Sequence, residues 1–226
     1  MNGFGRFSDR ADAGRQLAAA VKAKAYADPV VLALPRGGVP VALEVARAIG
    51  APLDLVMVRK IGVDFQPELA AAAVVNGDQP EIVVNEDVVE AARVSQDYLD
   101  AQVEAKLAEI ARRRQLYLKD RARAAIKGST AVVVDDGIAT GASIRAALHA
   151  MRRKEPARLV LAVPVAPAET LTVLQDEVDD IICLATPEPF YAIGAHYADF
   201  RQVPDDEVVA MLAAADAGEL AGPGIS

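Results

Sequence analysis

The chain of 226 residues has little that would indicate secretion or a membrane. Its single cysteine, Cys183, cannot form an internal disulfide, which is typical of a protein kept in a reducing cytoplasm. The N-terminal segment MNGFGRFSDR lacks the apolar core of a signal peptide. The most apolar stretch, residues 159–168, contains two prolines and is about half as long as a membrane-spanning helix. We therefore expect a soluble, cytoplasmic protein.

Positive charge and common catalytic motifs are also scarce. The 24 lysines and arginines face 32 acidic residues, and the net charge of −8 makes nucleic-acid binding a poor expectation. The basic stretch between Arg112 and Arg123 is interpreted as a solvated helix face. The sequence lacks a Ser-His-Asp order, zinc-ligand spacing, a CxxC pair, a Walker A loop and a GxGxxG fingerprint. The sequence therefore contains none of the motifs by which a serine triad, a zinc site, a redox dithiol, a Walker A loop or a dinucleotide-binding loop is recognised.

Short apolar runs that alternate with helical patterns dominate what is present. Hydrophobic residues make up 53% of the chain, enough for a large core. Five continuous apolar runs predict buried strands, at residues 30–34, 53–58, 131–134, 158–163 and 181–184. Continuous apolar strands separated by helices predict an α/β fold with a doubly wound parallel sheet of about five strands. We expect one domain over residues 1–226.

Two segments interrupt this alternation. Apolar residues 70–75 and 82–84 flank Asn76-Gly77-Asp78, a strong turn signal, and predict a hairpin. Residues from 86 to about 123 contain no proline or glycine and predict either one long helix or two helices. We therefore expect a helical insertion at about 86–125. A C-terminal element at about 186–216 is rich in aromatic residues and is a candidate hood, a segment that would cover a binding site.

The loop after the third predicted strand carries the chemistry. An apolar strand ends at Asp135 and Asp136, and a loop with Thr140, Gly141 and Ser143 leads into a helix predicted at about 143–154. Ligands of open α/β sheets bind at the carboxyl ends of strands, and a helix N-terminus offers amide donors to a phosphate. The alternative without a ligand is an ordinary strand–loop–helix with an aspartate cap.

Two carboxylates beside a phosphate cradle would repel the phosphate if both were in contact with it. The conflict disappears if the carboxylates accept hydrogen bonds from sugar hydroxyls instead. The segment therefore predicts a site for a ribose 5-phosphate, with the phosphate on the loop and the diol on Asp135 and Asp136.

Residues 132–143 resemble the phosphoribosyl-pyrophosphate signature of type I phosphoribosyltransferases: an apolar strand, two acids and then Ala-Thr-Gly-Ala-Ser. The resemblance extends over nearly the whole chain to a bacterial subgroup whose acceptor is not defined. It is carried by Phe7, Asp9, Arg10, Ala13, Gly14 and Leu17, by the segments at 34–38 and 59–62, by the long helix and by the region from Pro189-Phe190 to Phe200.

The resemblance implies a role for each matching position. Asp135 and Asp136 would bind the ribose hydroxyls, and Arg59 and Lys60 would be cations that contact pyrophosphate. The 5-phosphate would be held by Ala139, Thr140, Gly141, Ala142 and Ser143, and the pyrophosphate by the turn Arg36-Gly37-Gly38. Residues from about 62 to 68 would begin a mobile lid. Because Arg36, Arg59 and Lys60 follow predicted parallel strands, we expect them at the same sheet edge as Asp135.

The function implied is an enzyme of nucleotide metabolism that moves the phosphoribosyl group from phosphoribosyl pyrophosphate to a nitrogenous base or small amine. Mg²⁺ would be held mostly by substrate oxygens and water. Phe190 and Tyr191 could stack on the acceptor, or could belong to the core. The hypoxanthine-type relatives carry an acid at the position of Ala139, which argues against an oxopurine acceptor. A sensor without catalysis and a ribosyl-phosphate hydrolase or phosphorylase stay open, and the family resemblance allows a homodimer.

Overall fold

The computed structural model describes residues 6–75, 81–119 and 121–216. Along these ranges the helices and strands are, in chain order, α1 (Arg10–Ala23), β1 (Pro29–Ala33), α2 (Gly38–Ile49), β2 (Leu53–Leu55), β3 (Val58–Val63), β4 (Gln66–Val75), β5 (Glu81–Val84), α3 (Glu86–Ala91), α4 (Gln96–Leu118), β6 (Thr130–Val134), α5 (Ala142–Arg152), β7 (Arg158–Val165), α6 (Ala168–Leu174), β8 (Asp180–Ala185) and α7 (Asp205–Asp216). Short 3₁₀ turns lie at Gln175–Glu177 and Ile193–His196.

A five-stranded parallel sheet in the order β2–β1–β6–β7–β8 forms the centre of the fold. Both of its faces are buried. In β6, Val132 and Val134 belong to the core cluster that includes α1, α2 and α7, whereas Ala131 and Val133 belong to the cluster that includes α5. This alternation explains why the strand is apolar at every position, since helices cover both faces. The predicted doubly wound parallel sheet is confirmed.

A second, antiparallel sheet in the order β3–β4–β5 packs beside α4 and α5. Strands β4 and β5 confirm the predicted hairpin, and its turn at 76–78 lies outside the described residues. The prediction of one strand over 53–58 is wrong, because β2 ends at Leu55 and the chain passes into β3 of the other sheet. Val56 and Met57 are buried at the crossing, so the apolar pattern continues while the sheet changes.

The helical insertion consists of α3 and α4. The break falls before Ser95, whose side chain accepts a hydrogen bond from the amide of Tyr98 and caps α4. Helix α4 ends at Leu118 rather than near Arg123, and the chain beyond it runs across β2, where the Ala124 amide donates to the buried Asp54 at 3.0 Å. Within the described ranges, no helix combines the length and the apolar character needed to cross a membrane.

The pairing of β1 with β6 positions the candidate site. Ala33 lies opposite Val134 in this parallel pair, and the Leu34 amide donates to the Val134 carbonyl at 3.0 Å. Both strands therefore end at the same level of the sheet. The loop that follows β1 and the loop that follows β6 emerge side by side, as parallel strands require.

Candidate functional site

The loop before α2 and the loop after β6 are packed against each other without space for another methyl group. A Cβ on Gly37 would lie 2.1 Å from Oδ2 of Asp136. A Cβ on Gly38 would lie 2.8 Å from the Val134 carbonyl and 3.0 Å from Cα of Asp135. Glycine is therefore required at both positions by close approach, and the structure brings the predicted turn Arg36-Gly37-Gly38 onto the predicted acid pair. The Pro35–Arg36 peptide bond in this turn is cis.

The two acids have different surroundings. The Asp136 side chain is buried, and Nε of Arg10 donates to its Oδ2 at 2.7 Å. Asp135 is only partly buried, and its Oδ1 accepts from the Asp136 amide at 2.9 Å. The Tyr197 hydroxyl donates to the Asp136 carbonyl at 2.5 Å, which anchors the start of the loop from the C-terminal side of the chain.

Burial and mutual repulsion govern the ionisation of this acid pair. Burial and the neighbouring Asp136 carboxylate raise the pKa of Asp135 well above its usual value. Burial also raises the pKa of Asp136, but the Arg10 guanidinium opposes that rise. Of the two acids, Asp136 is therefore the one held in its charged form by a direct cationic partner.

The segment from Ala139 to Ser143 leads from the acids into the N-terminus of α5. Gly141 has φ +77° and precedes the first helical residue, Ala142, and the first turn contains no acid. Ala139, Thr140 and Ala142 are exposed, so this end of the helix is open to solvent. The Thr170 hydroxyl donates to the Ala139 carbonyl at 2.9 Å and fixes the loop from α6. An open helix N-terminus with no acid in its first turn suits a phosphate group.

Arg36, the predicted pyrophosphate-binding cation, contacts the far end of the chain. Its Nη1 lies 3.4 Å from Oδ1 of Asp205 at the start of α7. The Tyr117 hydroxyl of α4 donates to the same oxygen at 2.5 Å. The Tyr117 hydrogen bond lowers the pKa of Asp205, with a further contribution from Arg36, and burial together with this bond raises the pKa of Tyr117 to about 12. Asp205 is therefore the partner of Arg36, the residue that we expect to bind pyrophosphate.

Arg59 and Lys60 do not follow a parallel strand, because both lie within β3 of the antiparallel sheet. The prediction that they share the sheet edge of Asp135 is wrong in that respect. Arg59 Nε donates to Oε1 of Glu109 on α4 at 2.8 Å; burial alone would raise the pKa of Glu109, but Arg59 and neighbouring cations bring it below its usual value. Lys60 is exposed and borders a cavity of about 310 Å³ between the small sheet and α5. Ala142, one of the residues predicted to hold the 5-phosphate, also lines this cavity.

The candidate hood and the expected lid lie in different parts of the fold. Phe190 stacks on His196 with ring centroids 5.4 Å apart, whereas Tyr191 is 82% exposed. A Cβ on Gly137 would lie 2.6 Å from Ile193, so the hood also touches the loop after β6. The expected start of the lid, residues 62–68, covers the turn between β3 and β4, where Phe65 is 75% exposed.

Sequence reasoning missed the partners of these residues. Arg10, Tyr197 and Asp205 are 126, 61 and 169 positions from the residues they contact, so no local pattern connects them. Arg10 did stand within the N-terminal segment that carries the family resemblance. Among the residues that the structure describes, no group of three or more His, Cys, Asp or Glu side chains is placed to hold a metal ion.

Comparisons with known proteins agree with this geometry. The chain matches the family described as phosphoribosyl transferase domain over residues 7–196. Two Mycobacterium tuberculosis proteins, from strains H37Rv and CDC 1551, are named as candidate phosphoribosyl transferases; each is 46% identical over 206 residues, which is 91% of this chain and 46% of theirs. This chain thus spans about half the length of those relatives.

A solved structure shares the fold of this chain. The crystal structure of TT1426 from Thermus thermophilus is 42% identical, with a TM-score of 0.80, over 96% of this chain and 100% of that one. The family match covers most of the chain and includes both loops of the site. This chain is a member of the phosphoribosyl transferase family.

Proposed function

We propose that the chain binds 5-phosphoribosyl-1-pyrophosphate and transfers its phosphoribosyl group to a nitrogenous base or small amine, with release of pyrophosphate. The observation that carries the proposal is the packing of the Gly37-Gly38 turn on the Asp135-Asp136 pair, directly beside the open N-terminus of α5. This arrangement places acceptors for a diol, the amides at the start of α5 and the guanidinium of Arg36 at one sheet edge. A sugar carrying phosphate at one end and pyrophosphate at the other fits that order.

Each part of the substrate has a proposed partner. Residues 139–143 hold the 5-phosphate through backbone amides and the hydroxyls of Thr140 and Ser143. Asp135 and Asp136 accept hydrogen bonds from the ribose hydroxyls. The turn at 36–38 receives the pyrophosphate, and Arg36 exchanges Asp205 for it. The binding energy of both phosphate ends thereby orients the anomeric carbon between them.

The reaction breaks the bond between the anomeric carbon and the pyrophosphate oxygen, and the electron pair leaves with pyrophosphate. The nitrogen lone pair of the acceptor then forms the new bond to that carbon. Arg36 stabilises the leaving charge at the sheet edge. Lys60 is one of two exposed cations, with Arg145, in the cavity that Ala142 also lines. Arg59 can join them only if the substrate replaces Glu109 as its partner.

Magnesium fits this site as a substrate-borne ion. The described residues offer the carboxylates of Asp135 and Asp136 rather than a group of three or more ligands, which suits a metal held mainly by phosphate oxygens and water. When bound, the ion neutralises charge on the pyrophosphate group. The candidate hood contacts the loop after β6 through Ile193, and its exposed Tyr191 ring is available to stack on a flat acceptor.

Pyrophosphate release in the presence and absence of a panel of bases and amines tests the activity. Release that depends on one acceptor supports a transferase, and release without any acceptor supports a hydrolase. Binding without release supports a sensor.

A double variant tests the site. Asp135→Asn with Asp136→Asn is expected to lose affinity for phosphoribosyl pyrophosphate in calorimetry while circular dichroism stays unchanged. The matched control is Asp97→Asn with Asp100→Asn, which makes the same charge change on the exposed face of α4. Unchanged affinity in a folded site variant would show that the acids are not part of the site.

A further inference from the structure

A buried ion pair connects the N-terminal helix to the candidate ribose site. Arg10 is the first residue of α1, and its Nε donates to Oδ2 of Asp136 at 2.7 Å. Both side chains are only 11% exposed. An ion pair this close and this sheltered is screened far less than a surface pair. The position of the Asp136 carboxylate therefore depends on a residue outside the loop that contains it.

Arg10 is itself held in place by the C-terminal segment. Its Nη1 donates to the Arg201 carbonyl at 2.8 Å, and its guanidinium lies 3.9 Å from the centre of the Phe200 ring. These contacts use the guanidinium on two further sides, so it has a defined orientation rather than that of a flexible surface cation. Arg10 thus links α1, the hood and the acid pair in one cluster.

Within the described part of the chain, the other contacts of Asp136 include no second cation. The Tyr197 hydroxyl bonds to its backbone carbonyl, Gly37 presents only backbone, and Asp135 is a second acid whose side chain hydrogen-bonds to Asp136. The charged and titratable groups around the Asp136 carboxylate are therefore Arg10, Asp135 and Tyr197. Arg10 is the one cation among these three groups.

From this cluster, and on the basis of the proposed function, we infer that Arg10 is a positioning residue for phosphoribosyl binding that acts through Asp136. It keeps the Asp136 carboxylate oriented at the sheet edge, so that the acid pair meets the ribose diol in a fixed geometry. Arg10 does not itself contact the substrate in this arrangement, since its guanidinium is occupied by Asp136, Arg201 and Phe200.

A mutant cycle tests whether Arg10 acts through Asp136. Arg10→Met is expected to weaken calorimetric binding of phosphoribosyl pyrophosphate with Mg²⁺ by roughly tenfold or more in the natural background. In the Asp136→Asn background the same substitution is expected to have no further effect. Arg15→Met is the matched control, because Arg15 lies on the same helix with a 59% exposed side chain. It is expected to bind as the unmodified chain does.

The double variant also protects the test against misfolding, since Arg10→Met with Asp136→Asn leaves no unpaired buried charge. Arg10→Lys keeps the charge and is expected to restore part of the affinity. An equal loss in both backgrounds would overturn the inference, because Arg10 would then act independently of Asp136. Unchanged binding in Arg10→Met would overturn it as well.

A second readout separates this inference from the proposed function. In the protein without substrate, carboxyl ¹³C resonances are expected to show a higher pKa for Asp136 in Arg10→Met, because its cationic partner is removed, and no such rise in Arg15→Met. If the unmodified chain does not bind phosphoribosyl pyrophosphate, the proposed function fails even where this titration moves. If it binds and neither the cycle nor the titration responds, the role of Arg10 alone fails.

Discussion

Replacing Gly37 with alanine tests the contact between the two loops on which the site depends. The new Cβ would lie 2.1 Å from Oδ2 and 2.7 Å from Cγ of Asp136, whereas carbon atoms in contact normally lie about 3.5–4.0 Å apart. Gly37 has φ −58°, so alanine brings no backbone strain of its own. The expected effect is therefore the cost of separating the two loops.

Two routes could relieve the clash. If the carboxylate turned away, it would lose Arg10 and stay buried without a partner, at a cost of about 3–5 kcal/mol. If the loops moved apart instead, overpacking would cost about 1–3 kcal/mol. The second route is cheaper, so we expect Gly37→Ala to lower the free energy of unfolding by about 1–3 kcal/mol. The loop displacement should also weaken phosphoribosyl-pyrophosphate binding by roughly tenfold to a hundredfold.

Urea unfolding and calorimetry measure the two effects, and Gly50→Ala provides the control. Gly50 has φ +63°, and a Cβ there would meet no atom within 4 Å, so alanine costs about 1–2 kcal/mol of backbone strain far from the acids. The control is expected to lose stability and to keep its affinity. If Gly37→Ala retains both stability and affinity, the described packing of the glycine turn on Asp136 is incorrect.

Three further substitutions probe the surrounding contacts. Arg59→Ala is expected to reduce kcat/KM for pyrophosphate release clearly while it lowers Tm only slightly. Unchanged turnover would remove Arg59 from the site. Asp205→Asn should tighten pyrophosphate binding in calorimetry, since it removes the acid that competes for Arg36, and weaker binding would contradict that competition. Tyr197→Phe should lower the free energy of unfolding by about 1–3 kcal/mol, because it leaves the Asp136 carbonyl without its hydroxyl donor; a loss below about 0.5 kcal/mol in urea unfolding would argue against this bond.

The parts of the fold that depend on residues close together in the sequence could be predicted. The apolar run 131–134, the two acids and the glycine-bearing loop predict a strand, a sheet edge and a helix start, and β6 and α5 lie there. The same holds for the hairpin strands around 76–78. In each case the pattern and the turn chemistry lie within about ten residues of each other.

The errors arose where tertiary contacts decide the outcome. The apolar pattern of 53–58 continues past the end of β2 because Val56 and Met57 are buried where the chain crosses between sheets, and burial alone does not reveal which sheet a residue joins. The predicted position of Arg59 and Lys60 is wrong for the same reason, since both residues follow the crossing and lie in β3. Arg10, the side-chain partner of Asp136, and Asp205, the partner of Arg36, lie more than one hundred residues away along the chain, so only the folded chain brings them together.

A crystal structure with phosphoribosyl pyrophosphate and Mg²⁺ tests the central claim most directly. We expect the 5-phosphate within hydrogen-bonding distance of the amides at 139–143 and the ribose hydroxyls on Asp135 and Asp136. A compound bound elsewhere on the chain, or a sugar whose hydroxyls touch neither acid, would contradict the account.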